Sequence, residues 1–147
     1  MGLIVVDTSI LIDNLRDDPG AVVALDRAQE DGDQLYASVI SRAELLAGMG
    51  TRERRVTRAL IDSLDWVAVS EDIAELAGNL ARRFRASFPG IGLPEILIGA
   101  TAQHVGGELL TIDDYRNRYA QYRSDPALRA AHASFPFVVI TADCLST

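Results

Sequence analysis

Hydrophobic positions open the chain as an unbroken run, Leu3 to Val6, rather than as an alternation. Such a run predicts a strand buried on both faces, as in a parallel sheet. Ile10, Leu11 and Leu15 then recur at helical spacing up to a turn signal, Asp17-Asp18-Pro19-Gly20. Ala21 to Gln29 predicts a second short helix, and Leu35 to Val39 the next strand. Ser41, with Glu44 three residues on and Leu45 to Ala47 behind it, has the pattern of an N-terminal capping box, and Gly48 and Gly50 supply the stop. An amphipathic helix over about Arg52 to Leu64 precedes a short strand, Trp66 to Val69. Ser70, followed by Glu71 and Asp72, opens a helix running to about Phe84. After the loop FPGIGLP, Pro94 suits a first helical turn, which puts Glu95 at the start of a helix ending at Gly106-Gly107. Glu108 to Thr111 predicts a further strand, and Phe135 to Thr141 a last one, placed at an edge because it contains Pro136. Tyr115 to Ser134 is polar, with Asp125-Pro126 as a helix start. Strands alternating with helices predict a three-layer α/β/α sandwich around a mainly parallel sheet.

Composition narrows this further. At 147 residues, one domain over 1–147 is expected. With 48% hydrophobic and only 6% aromatic residues, its core rests on aliphatic packing. No apolar run reaches the length of a membrane span, the N-terminus lacks a secretory pattern, and the chain is expected in the cytoplasm. One cysteine, Cys144, excludes an internal disulfide and a cysteine-based zinc site. A net charge of −7 argues against nucleic-acid binding through overall positive charge, though a local basic patch is compatible with it. All 14 bases are arginine, which excludes any mechanism built on a lysine amine.

Open parallel sheets gather chemistry at the carboxyl ends of their strands. Asp7 ends the first strand, Glu44 lies in the first turn after the second, Asp113 follows Glu108 to Thr111, and Glu95 opens the helix feeding that strand. Carboxylates crowded together out of bulk water repel one another unless a cation neutralises them. Oxygen donors without histidine or thiol favour a hard ion, Mg²⁺ or Mn²⁺, and such an ion suits phosphodiester hydrolysis. Each acid also has a purely structural reading. Asp7 could cap a helix beginning near Ser9, Glu44 could complete a capping box with Ser41, Glu95 could complement a helix dipole, and Asp113 could be a turn residue, with Asp114 the acid that matters.

The pieces VVDTSILID, SVISRAELLAG, GIGLPEILIGATA and LLTID occur in an order and at separations that resemble the PIN-domain nucleases, over roughly residues 1 to 115. Within that family the chain is similar to the VapC-like toxins of bacterial type II toxin–antitoxin systems. By motif, the resemblance implies that Asp7, Glu44 and Asp113 are metal-binding and catalytic acids. Glu95 stands where the family usually has aspartate, one methylene shorter. Thr8 and Ser9 match polar positions that orient the first acid or its waters, and Thr111 is assigned the same part. The resemblance implies an endoribonuclease requiring Mg²⁺ or Mn²⁺, usually a homodimer, inhibited by a cognate VapB-like antitoxin through which the complex reaches operator DNA. Arg52, Arg54, Arg55 and Arg58 on one helix, with Arg82, Arg83 and Arg85 on another, are the candidates for RNA contact, against the plainer reading of solvated helix faces.

Other α/β readings lack their key residues. A phosphoacceptor receiver needs a lysine, a dehalogenase-type phosphatase needs Asp-x-Asp where this chain has Asp7-Thr8-Ser9, and no GxxxxGK[ST] loop is present. His104 and His132 are isolated from any recognisable nucleophile, and His104 is expected on a helix surface. The competing reading from a different class is a PIN-like protein that binds antitoxin or RNA and cuts weakly or not at all, with Glu95 marking the altered site.

Overall fold

The computed structural model describes residues 2–84, 91–111 and 139–141. In chain order its elements are β1 (Leu3–Val6), α1 (Thr8–Leu15), α2 (Pro19–Glu30), β2 (Gln34–Ser38), α3 (Val39–Gly48), α4 (Arg54–Ser63), β3 (Asp65–Val67), α5 (Glu71–Phe84), α6 (Leu93–Val105), β4 (Glu108–Thr111) and β5 (Val139–Thr141). The strands form one sheet of order β3-β2-β1-β4-β5, and every neighbouring pair is parallel. The edge position expected for the last strand is observed at β5. The polar stretch 115–134, with its expected helix start at Asp125-Pro126, lies outside the described residues, as does Pro136. No described helix is long and apolar enough to cross a membrane.

The unbroken apolar run makes sense in the layers. Successive side chains of a strand face opposite sides of the sheet. Ile4 and Val6 pack with Ile10 and Leu11 of α1, Ala24 and Leu25 of α2, and Leu45 of α3. Val5, fully buried between them in sequence, faces the other way, onto Ile98 and Ala102 of α6 with Leu109 of β4. On that second side Ile73, Ala77 and Leu80 of α5 close against Ala100 of α6. Helices thus cover both faces, the sandwich expected from the alternation of elements.

Two local expectations need correction. The helix after β2 is capped not by Ser41 but by Ser38, whose hydroxyl accepts the Ile40 N–H at 3.1 Å. Glu44 accordingly stands in the second turn of α3 rather than in its first. Arg52 lies in the turn before α4, which begins at Arg54. Elsewhere the caps follow the sequence. Ser70 Oγ accepts the Ile73 N–H at 3.2 Å at the start of α5, and Gly106, at a left-handed φ of 72°, ends α6.

Gly107 has a tighter reason for being glycine. A Cβ there would come 2.6 Å from the carbonyl oxygen of Leu3, a backbone atom that cannot rotate aside. Gly107→Ala is therefore expected to destabilise the chain by about 1–3 kcal/mol, read as a lower urea midpoint; an unchanged midpoint would mean that β1 and the start of β4 separate easily. The same contact fixes the direction of α6. Its C-terminal end lies at the amino edge of β1, and its 13 residues span roughly 20 Å at ~1.5 Å each. A four-residue strand covers only about 13 Å. The N-terminus of α6, with Glu95, therefore lies toward the carboxyl edge of the sheet.

Candidate active site

Strands β1, β2 and β3 are laid down outward in one direction, and β4 then starts on the other side of β1. The reversal leaves a crevice at the carboxyl ends of β1 and β4, where α/β sheets commonly bind their ligands. Asp7 follows β1 and Thr111 ends β4, so the topology puts both there. Asp7 extends the ladder through its own N–H, which donates to Leu110 O at 2.8 Å.

Asp7 caps α1, with Oδ1 accepting the Thr8 N–H at 2.8 Å. Its Oδ2 accepts two hydroxyl protons, from Ser9 Oγ at 2.9 Å and from Thr111 Oγ1 at 2.6 Å. Ser9 Oγ and Thr111 Oγ1 are themselves 3.4 Å apart. Three donors from two sheet-edge segments hold a half-buried carboxylate in one orientation, and about four lone-pair directions per carboxylate leave it one further site. The capping reading and the functional one are both compatible with this geometry, because a cap uses only Oδ1.

The next residue ties Asp7 to α3. Thr8 Oγ1 stands 2.8 Å from Ser41 Oγ and 2.9 Å from Glu44 Oε1. Ser41 is fully buried, whereas Glu44 lies at the surface and its Oε2 takes no hydrogen bond from the described residues. Ser41 and Glu44, three apart on α3, share one helix face, and Thr8 enters between them. Ser41 was singled out from sequence only as a helix cap, not for a contact with α1. Its Ser-x-x-Glu spacing drew attention to a local cap, and only the packing of α1 on α3 reveals the long-range partner. No buried polar side-chain atom among the described residues lacks a hydrogen-bond partner.

Glu95 is exposed, and its Oε2 accepts the Gly92 N–H at 3.0 Å across the first turn of α6. That contact is the structural reading of Glu95 in its capping form. The site therefore brings together Asp7, Thr8, Ser9, Ser41, Glu44 and Thr111, with Glu95 on the same edge but turned onto its own helix. Asp113 and Asp114 lie outside the described residues, and among the described residues no three of His, Cys, Asp and Glu come close enough to hold a metal ion. The donors present are hard oxygens, which fits Mg²⁺ or Mn²⁺, ions that bind through few carboxylates and keep several waters.

Of the candidate RNA contacts, Arg52, Arg54, Arg55 and Arg58 are all exposed around the start of α4, beside an exposed Val56. Arg82 is exposed and donates to Asn79 Oδ1 at 3.2 Å, Arg83 is exposed on the same helix, and Arg85 lies outside the described residues. His104 is on the exposed surface of α6, where the sequence placed it.

Comparison with known proteins adds to this geometry. The model of the PIN domain family matches residues 4–122. Ribonuclease VapC19 of Mycobacterium tuberculosis is 42% identical over 106 residues, covering 72% of this chain and 85% of that one. Ribonuclease VapC10 of the same organism is 42% identical over 114 residues, covering 76% and 83%. Among solved structures, DNA-bound VapBC from Salmonella typhimurium superposes with a TM-score of 0.70 at 16% identity over 97% of this chain and 99% of that one, a likeness of fold.

Proposed function

The chain belongs to the PIN domain family, and from that premise we propose that it is a metal-dependent endoribonuclease toxin, neutralised by a cognate VapB-like antitoxin. The observation that carries the reading is Asp7, held by three donors at the switch point of the sheet and joined through Thr8 to Glu44. Two relatives at 42% identity are named ribonucleases, which supports the same reaction class. A structural neighbour is a DNA-bound VapBC complex. It supports a VapB-like partner, with operator DNA reached through that partner rather than through this acidic chain. A homodimer and a cytoplasmic RNA substrate complete the proposal, all within one PIN-like domain.

Asp7, Glu44, Glu95 and Asp113, or Asp114 in place of the last, would hold Mg²⁺ or Mn²⁺. When bound, the ion supplies Lewis-acid polarisation of the phosphate and lowers the pKa of water in its shell. In the hydrolysis a water oxygen joins phosphorus, the bond to the leaving ribose oxygen breaks, and that oxygen takes a proton. Ser9 and Thr111 fix the face that Asp7 presents, and Thr8 fixes Glu44 beside it. Arg54, Arg55 and Arg58 supply local positive charge for the phosphate backbone in a chain of net charge −7.

The test is cleavage of RNA by purified, antitoxin-free protein. Chelation with EDTA is expected to reduce cleavage to background, and excess Mg²⁺ or Mn²⁺ to restore it. If the parent never exceeds Asp7→Ala under these conditions, the enzyme reading fails. One observation favours a second reading: the cap bond from Gly92 N–H occupies Glu95, as a protein that binds antitoxin or RNA without cutting would allow. Calorimetry of Mn²⁺ binding is expected to show weakening by Asp113→Ala; unchanged binding there would transfer the role to Asp114.

A further inference from the structure

We propose that Ser41 is a positioning residue for the reaction, setting through Thr8 where the Glu44 carboxylate stands relative to Asp7. The inference rests on the proposed nuclease function but gives Ser41, which the sequence offered only as a local helix cap, a long-range part through Thr8. Ser41 is fully buried on α3, and its Oγ meets Thr8 Oγ1 of α1 at 2.8 Å. Thr8 is nearly as buried, and the same Oγ1 meets Glu44 Oε1 at 2.9 Å.

The direction of the protons gives the link its meaning. A carboxylate only accepts, whereas each hydroxyl donates once and accepts as well. Thr8 Oγ1 is the donor to both oxygens, Ser41 Oγ and Glu44 Oε1, so its single proton lies between a buried anchor on α3 and an acid at the surface. Ser41 Oγ thereby fixes the direction in which the Thr8 hydroxyl faces Glu44. Glu44 needs such a restraint. An exposed glutamate has three rotatable side-chain bonds, and its ordering costs entropy that the Thr8 contact offsets. Thr8 in turn is β-branched and stiff at χ1, so the partner that selects its rotamer also aims its hydroxyl.

Plain packing explains Ser41 less well. A serine inside a helix usually satisfies its hydroxyl on the carbonyl one turn back, but here the hydroxyl reaches across to another helix. Alanine would fill the same position without a polar atom to desolvate and with better helix propensity. What serine adds at this position is the bond to Thr8, and Thr8 holds the backbone N–H that caps onto Asp7 and the hydroxyl that touches Glu44. One buried group therefore bears on the relative placement of both acids.

A double-mutant cycle tests this on the full-length protein, with Ser41→Ala, Glu44→Ala and the pair, each measured for RNA cleavage and for Mn²⁺ affinity by calorimetry. Loss of a group that orients a metal-binding acid typically lowers activity or metal affinity roughly 10-fold to 100-fold. Ser41→Ala is expected to lower kcat and Mn²⁺ affinity in that range with KM for RNA unchanged. In the Glu44→Ala background it is expected to change Mn²⁺ affinity by less than about 2-fold, because the group it acts through is gone. An equal loss in both backgrounds, or no loss in the parent, overturns the proposal. Thr8→Val, which keeps the volume and removes the hydroxyl, replaces Ser41→Ala in the same cycle should the latter not fold. If the parent cleaves no RNA but the Mn²⁺ cycle shows the coupling, the nuclease reading falls and the positioning role stands.

Discussion

Asp7→Asn is expected to lower RNA cleavage by about 10³-fold while the protein keeps its fold. Asparagine is as good an N-cap as aspartate, so the bond from Thr8 N–H to Oδ1 survives. At the other oxygen an amide nitrogen replaces the acceptor of the Ser9 and Thr111 hydroxyls. Both hydroxyls can turn and accept instead, which limits the stability cost to about 1–2 kcal/mol. The charge is what is lost, and with it the hold on a divalent cation that is proposed for Asp7. Asp7→Ala removes cap and charge together and is expected to be less stable than Asp7→Asn but no less inactive. Initial cleavage rates and urea midpoints on both variants separate the two roles. Should Asp7→Asn retain a tenth or more of the parent's rate, Asp7 is a helix cap at the end of a strand and the site must be sought elsewhere.

That separation matters because local sequence cannot make it. Leu3 to Val6 was legible as a strand because an unbroken apolar run fits a sheet covered on both faces, Glu108 to Thr111 as a short stretch behind the Gly106-Gly107 stop, and Pro94 and Gly106 marked the ends of α6 within a residue. The order of the strands was not legible. The part given to Thr111 beside the first acid came from the motif resemblance and not from periodicity, because Asp7 is more than a hundred residues away and the reversal of strand order at β1 makes the contact. Ser41 was misread for a related reason. Ser38 and Ser41 both stand ahead of an apolar helix run, and only Ser41 has glutamate three residues on. The pairing of Ser38 with Val67 as the last strand residue decides where α3 begins, and that pairing is non-local. Gly107 read as a helix stop, yet its requirement for glycine comes from the Leu3 carbonyl. Short-range periodicity encodes elements and their caps, while the contacts that assemble the site come from topology.

Glu95 is where the two kinds of information meet, and a pair of substitutions distinguishes them. Glu95→Gln keeps length and shape, and glutamine at the third helical position still accepts an N–H across the first turn, so the Gly92 bond persists. Glu95→Asp keeps the charge but shortens the arm by a methylene, so it reaches Gly92 less well. The helix N-terminus favours a negative charge whichever way the carboxylate points. Releasing Gly92 is inexpensive, since the N–H is exposed and water replaces the bond. A divalent ion beside Asp7 can therefore draw Glu95 away from its cap, given that α6 begins on the same edge of the sheet. Glu95→Gln is accordingly expected to lose on the order of 10²-fold in cleavage and to melt slightly lower, because it gives up the charge that the helix N-terminus favours. Glu95→Asp is expected to keep its activity and to melt close to the parent, because it keeps the charge and gives up only an exposed bond. The opposite pattern, an active Glu95→Gln, would confine Glu95 to capping and leave the cation to Asp7, Glu44 and an acid following β4. Mn²⁺ titration of Glu95→Gln reads the same choice without RNA, because a glutamine that only caps leaves the affinity of the site where it was.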